Sequence, residues 1–204
     1  MIIVNFSTHQ YRAGQDRLKA SLNGHRSLMI KNYLPGWKTH HESPYEFKIN
    51  AIEKAFQHDD VVLWADASMY LVGDLSKIEN IILQDGYFME ESGHYVKDWC
   101  NIKARQYFGL TEREDHYTMF AAGLLGLDKR SPVAMSFFKQ WKHAAKAGCF
   151  KGDWSDHRHD MTCASIIAQR MGLKYQPGST HMAYIGPGFS EPNPEAVFHL
   201  QGIA

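Results

Sequence analysis

The run "VVLWADASMYL", residues 61–71, decides how the rest of the chain is read. Val61 to Ala65 place apolar side chains on both faces, the pattern of a central strand in a parallel sheet. Asp66 then interrupts it. An unpaired charge inside a sheet is costly, so the strand must end there with the carboxylate facing a partner. One reading gives it a turn to cap or a buried Lys or Arg. The other gives it a divalent cation bridging phosphate oxygens, because Mg²⁺ and Mn²⁺ prefer hard oxygen ligands. In open α/β sheets ligands bind beyond the carboxyl ends of the strands, which is where Asp66 falls.

Upstream, "IIVNF" (2–6) is a β-rich run that enters the polar loop "STHQYRAGQ". Residues 15–22 are predicted helical and "SLMIKNY" (27–33) a second strand. After the turn residues Pro35, Gly36 and Pro44, the spacing of Tyr45, Ile49, Ile52 and Phe56 predicts an amphipathic helix over 44–58. Downstream, Leu75, Ile78 and Ile82 mark a helix capped by Asp74 or Ser76, and "GYFME" (86–90) reads as a strand. This β-α-β-α-β order predicts a parallel sheet flanked by helices. The second half is mixed. Residues 98–108 are predicted helical and 116–128 strand and turn. Ser131-Pro132 opens a helix carrying Val133, Phe137 and Trp141 on one face. Residues 160–173 form another, with Cys163, Ile166, Ile167 and Met171 inward and Gly172 closing it. With no repeat and no linker, the expectation is one domain over residues 1–204.

The 204 residues suffice for a sizeable core. Lys plus Arg and Asp plus Glu number 22 each, and the basic residues are scattered, so nucleic acid and anionic membrane are not advertised as partners. Three cysteines without CxxC spacing predict free thiols in a reducing compartment. "MIIVNF" lacks the basic start of a signal peptide, and no run reaches membrane-spanning length. A soluble cytoplasmic protein is the expectation.

The densest polar cluster is "DHRHDMT" (156–162), two His, two Asp and an Arg directly before an apolar helix. Asp160 can cap that helix, and His157 and His159 can be solvated loop residues. The same cluster also has the composition of an acid–base site. His199, in "VFHLQG", reads first as a buried, hydrogen-bonded histidine.

Taken in order, these segments resemble the GT-A-type glycosyltransferases, which use nucleotide sugars and a divalent metal. "VVLWADAS" is similar to the family's strand ending in Asp-x-Asp, with Asp66 first. "YEFKINAIEKAF" resembles the segment that carries Lys48 one helix before it. "FAAGLLGLDKRSPVAMSFFKQW" is similar to the family's strand and Trp-ended helix, "HRHDMTCASIIAQRMGL" to its "HRHDQS" motif, and "VFHLQG" to its terminal H-x-x-G. Small viral and bacterial enzymes that glycosylate capsids or surface polysaccharides are the nearest likeness, which also allows a viral protein in a host cytoplasm. The likeness departs at Ser68, where a second Asp is usual, and at Met161, which replaces Gln.

The resemblance implies an α/β, GT-A-like fold with a central, mostly parallel sheet flanked by helices. It implies transfer of a hexosyl or deoxyhexosyl group from a nucleoside diphosphate sugar, UDP favoured, to a glycan or glycoprotein hydroxyl. Mn²⁺ or Mg²⁺ would be held by Asp66, Ser68 and His199. Thr8, Tyr11, Arg12, Lys48, Asp66, Ala67, Ser68 and His157 would hold the donor. Gly123 and His159 would line the acceptor and sugar pocket, with Asp160 as the catalytic carboxylate and Asp156 the fallback. Two other readings stand beside it. One is a metal-dependent hydrolase or nucleotidyltransferase using His157, His159 and Asp160. The other is an inactive sugar-nucleotide-binding module.

Overall fold

The computed structural model describes residues 1–186, 188 and 193–201. The strands β1 (Ile2–Phe6) and β3 (Val61–Ala65) are buried throughout, as their apolar runs require. Alternation sends Val4, Phe6, Val62 and Trp64 to one hydrophobic cluster and Ile3, Val61, Leu63 and Ala65 to another. The sheet therefore has a core on each face.

The helix α1 (Arg12–Ser21) follows β1, and β2 (Ser27–Ile30) returns parallel to it. The helix α2 (Glu46–Ala55) leads into β3, which is also parallel to β1. Beyond β3 lie a short strand β4 (Met69–Leu71), the helix α3 (Ser76–Asp85) and β5 (Tyr87–Phe88). Then come the hairpin partners β6 (Glu91–Tyr95) and β7 (Thr118–Phe120), separated by α4 (Ile102–Phe108). β8 (Leu124–Asp128), α5 (Pro132–Lys146), α6 (His159–Arg170), β9 (Met182–Ile185) and β10 (Phe198–Gln201) complete the described elements.

The central sheet has the order β2-β1-β3-β8-β5, with a second sheet β4-β10-β9. The expected parallel β3-to-β5 neighbourhood is corrected: β8 inserts between them, antiparallel to both. A strand from the mixed second half could not be placed by local periodicity, because its pairing is non-local. The run 86–90 also pairs for only two residues before Glu90 turns to a single bridge with Gln176. Ends shift elsewhere. α1 starts at Arg12, β2 stops at Ile30, and the helix expected over 98–108 begins at Ile102, where the Asn101 side chain accepts from Ala104 N. Ser131 caps α5 as read, with Pro132 behind it. Gly172 closes α6 at φ +68°, a left-handed position suited to glycine. All three cysteines are free and buried. Among the described residues, no helix is long and apolar enough to cross a membrane.

α1 approaches the end of β3 unusually closely. A Cβ on Gly14 would lie 2.3 Å from the Ala67 carbonyl oxygen, a backbone atom that cannot swing aside. Gly14→Ala should therefore lever α1 off the 66–69 turn. We expect a loss of about 1–3 kcal/mol, the usual cost of overpacking. Urea unfolding of the two proteins checks it, and a variant as stable as wild type would show that α1 can shift freely.

Candidate active site

β3 ends where the ladder to β8 ends. Asp66 N donates to Gly123 O at 2.8 Å, and Met69 N to Asp66 O at 3.0 Å, so the chain turns at the carboxylate. Asp66 Oδ1 accepts from Trp64 Nε1 at 2.7 Å. The Lys48 ammonium lies 3.4 Å from that same oxygen and 3.0 Å from Asp160 Oδ2. It donates a hydrogen bond to Ala122 O at 3.1 Å. Lys48 reaches this point because α2 packs on β1 and β3 and buries its inner face, the lysine included. The first reading of Asp66 thus holds: it faces a buried lysine, at a strand's carboxyl end.

The lysine is held between two carboxylates and two rings. Its Nζ is 5.2 Å from the Tyr45 ring centroid and 5.6 Å from that of Trp64. Burial pulls its pKa down most strongly, yet Asp160, Asp66 and Tyr45 outweigh burial and raise it. It is a permanent cation. For Asp160 the balance is reversed: burial pushes its carboxyl above the usual range, and Lys48 only partly opposes this. Oδ2 of Asp160 receives no aligned hydrogen bond among the described residues, so its contact with Lys48 is ionic.

Two residues beside this triad have strained backbones. Tyr45, just before α2, has φ +59°, and His159, opening α6, has φ +46°. Bulky residues seldom adopt the left-handed region, and such strain concentrates at functional sites. Here it brings the Tyr45 and His159 rings to 5.4 Å, with Trp154 5.6 Å from His159.

The triad sits in a cleft of two lobes that share Tyr45, Asp66 and Ser68. One lobe, about 250 Å³, is walled by Phe6, Thr8, Gln10, Tyr11, Tyr33, His40, Phe47, Trp64 and Ala67. The other, about 360 Å³, is walled by Lys48, Gly123, Asp160, His94, Met161, Trp154, Arg158 and Leu200 among others. A lysine-rimmed groove between α2 and α5 is larger, about 510 Å³, but holds none of the candidate residues.

The structure thus brings together Thr8, Tyr11, Lys48, Asp66, Ala67, Ser68, Gly123 and Asp160. It turns others elsewhere. Arg12 donates to Lys31 O at 2.7 Å and lines neither lobe. His157 is fully buried, not solvated and not at the donor: Nε2 meets Cys149 O at 2.8 Å and Nδ1 meets Trp99 O at 3.3 Å. His159 Nδ1 is bound to Phe150 O at 2.8 Å, and its ring backs the cleft instead of lining it. Asp156 is exposed and outside both lobes. His199 pairs with Tyr70 across β10 and β4, whereas the adjacent pair Leu200 and Met69 faces the Asp66 lobe. Alternation therefore puts His199 on the opposite face, edge-on to Tyr70 at 5.6 Å. The terminal Gly202 of the H-x-x-G likeness lies outside the described residues.

Sequence reading missed the aromatic wall. Tyr45 and Trp64 were assigned to helix and strand packing, and Trp154 and Arg158 received no role. For Trp64 and Arg158, each two positions before a candidate aspartate, that spacing was the available signal.

Burial pulls the His157 pKa down. Its folded-state value then lies below the ordinary 6.5, so the unfolded chain binds more protons as the pH falls. Stability should be complete above about pH 6.5 and decline below it. Urea midpoints at pH 7.5 and 5.5 should differ less in His157→Gln than in wild type. Equal differences would remove His157 from the acid response.

Solved structures supply the comparison. No protein-family model matches the sequence, and no curated protein sequence is significantly similar to it. The chain superposes on the bifunctional glycosyltransferase WbbM with a TM-score of 0.62 at 10% identity, over 98% of this chain and 45% of that one. It matches a glycosyltransferase involved in glycosylating the major capsid of PBCV-1 with a TM-score of 0.58 at 14% identity, over 98% and 93% of the chains. The fold is a GT-A-like glycosyltransferase fold. Mouse xyloside xylosyltransferase 1 shares it, with a TM-score of 0.56 at 9% identity and 98% coverage of both chains. The chain thus spans less than half of the bifunctional protein and nearly all of the other two. Within this glycosyltransferase fold the two-lobed cleft opens at the carboxyl end of β3, where an open α/β sheet places its ligands.

Proposed function

We propose that the protein transfers a sugar from a nucleoside diphosphate sugar, UDP favoured, to a hydroxyl of a glycan or glycoprotein. The observation that carries this reading is the cleft itself. An aromatic lobe suited to a base and ribose joins, through Asp66 and Ser68, a lobe holding a buried lysine and a buried carboxylate. Thr8 and Tyr11 face the nucleoside. Lys48 offsets negative charge at the junction without needing a proton from solvent. Asp160 takes the acceptor proton: its raised pKa makes it a stronger base than an ordinary aspartate, and Lys48 keeps it ionised.

A divalent cation fits at Asp66 on the donor chemistry present. Oδ1 is engaged by Trp64 and Lys48, while Oδ2 faces a space that a Cβ on Gly123 would reach within 3.1 Å. One carboxylate oxygen with Ser68 alongside, completed by phosphate and water, suits Mg²⁺ or Mn²⁺. When bound, the cation would supply Lewis-acid stabilisation of the leaving diphosphate. His199 is no part of that set. A hydrolase centred on His157 and His159 is disfavoured, because His157 gives Nε2 to Cys149 O and accepts from Asn101 N at Nδ1, His159 gives Nδ1 to Phe150 O, and, among the described residues, no three His, Cys, Asp or Glu groups converge.

Calorimetry with UDP tests the reading. Binding that weakens when EDTA replaces Mn²⁺ is the expected result. Equal affinity in both would remove the cation, and no UDP binding in either would remove the nucleotide-sugar reading.

A further inference from the structure

The 360 Å³ lobe carries, on a wall the aromatic lobe does not share, an arrangement that donor binding does not use. Arg158 precedes α6, and its guanidinium carbon lies 3.6 Å from the Trp99 ring centroid and 4.1 Å from that of Trp154. The group is clasped between two indoles, a favourable cation–π setting. Nη1 donates to Trp154 O at 3.2 Å. Among the described residues, Arg158 has no carboxylate partner, and its other nitrogens are not sealed from solvent. Stacking on the guanidinium faces leaves the N–H edge as the route to a ligand, and that edge matches a carboxylate bidentately.

The remaining charges of the lobe explain why such a cation would be needed. Asp66, Asp160 and Lys48 sum to one negative charge, which would repel an anionic acceptor. Trp154 is 55% exposed and stands beside Arg158 on the same wall. Arg158 lies over its ring and His159 stacks against it, so the part of the indole left to meet the carbons of a sugar ring is its exposed edge. We propose that Arg158 and Trp154 form an acceptor subsite for an acidic glycan, with Arg158 binding a sugar carboxylate. This rests on the sugar-transfer reading above. Position separates the subsite from the donor diphosphate: Arg158 and Trp154 line only the second lobe, whereas Asp66 and Ser68 line both.

The test titrates two tetrasaccharides, identical except for a terminal glucuronate or glucose, into the protein with and without UDP. Tryptophan fluorescence and calorimetry give the readouts. Wild type should bind the acidic glycan roughly 10- to 100-fold more tightly, the worth of a charge-assisted hydrogen-bond pair. Arg158→Gln should erase the preference and leave UDP affinity unchanged, while Arg158→Lys keeps part of it, because a point charge replaces a fork. Thermal melts establish that both variants fold. Equal binding of the two glycans by wild type overturns the proposal. So does loss of UDP affinity in Arg158→Gln with the preference retained, which would make Arg158 a diphosphate ligand. Failure of wild type to bind UDP would count against sugar transfer, and the glycan titration without UDP would still decide Arg158.

Discussion

Asp160→Asn is expected to lower the rate of sugar transfer by roughly 10²–10⁴-fold, the usual contribution of a catalytic base. Donor binding and fold should survive. Asp160 lines the lobe next to the one that would take the nucleoside, and Lys48 keeps Asp66 at 3.4 Å and the Ala122 carbonyl at 3.1 Å when the aspartate charge is gone. A purely structural Asp160 predicts something else. Arg158, not Asp160, holds the cap position of α6, so the capping role expected from the sequence is corrected; Asp160 is the second helical residue, and a purely structural role there leaves turnover unchanged in Asp160→Asn. The wild-type pH profile gives a second check. The base works ionised, and burial raises its pKa, so activity should fall with decreasing pH before the ordinary aspartate range near 4 is reached. Near wild-type turnover by Asp160→Asn would sink the assignment. Asp156, the other carboxylate of the segment, is exposed and outside both lobes, so the base would then have to be sought beyond that segment.

What the sequence reveals of this site follows from how local its causes are. Asp66 was legible because a charge ending an apolar run must have a reason at that position. β3, α2, α5 and α6 were legible for a similar cause: each is specified by its own periodicity, with Ser131 starting α5 and Gly172 ending α6. The strand and turn read over 116–128 are present as β7 and β8, but the place of β8 was not legible, because its position between β3 and β5 depends on pairing across more than fifty residues of chain. Lys48 was named through family likeness alone. Its pairing with Asp66 and Asp160 joins residues far apart in the chain, and no local pattern encodes it. The two loop histidines show the opposite failure. "HRHD" looks like chemistry by composition, yet His157 and His159 spend ring nitrogens on the carbonyls of Cys149 and Phe150, fastening the start of α6 to the turn that follows α5. Under the proposed sugar transfer, the part of the motif that would do chemistry is the aspartate beside them, which faces Lys48. The strained Tyr45 and His159 backbones belong to the same fastening, and a φ value cannot be read from residue type.

Lys48→Met should be the most destabilising single change at the site, by about 3–5 kcal/mol, because it removes one partner of a buried ion pair. Methionine nearly keeps the length and apolar stem of lysine, so packing beside the Tyr45 and Trp64 rings is little altered and the charge carries the effect. Lys48 is 3% exposed, and it neutralises Asp160, which is equally buried. Without the ammonium, Asp160 either stays ionised in an apolar surround or takes up a proton. Each route costs stability at neutral pH. Proton uptake makes the cost fall as the pH is lowered, so the gap between Lys48→Met and wild type should narrow on acidification. The double variant Lys48→Met, Asp160→Asn supplies the decisive comparison. It removes the stranded charge along with its partner, so it should be more stable than Lys48→Met alone, as replacing a whole buried pair by neutral groups often is. Urea unfolding of the four proteins closes the cycle. If the double variant is instead less stable than Lys48→Met by the full cost of Asp160→Asn, the two residues do not interact. Lys48 would then be held by Asp66 and the Tyr45 and Trp64 rings, and the account of Asp160 as a base kept ionised by a buried cation would fall with it.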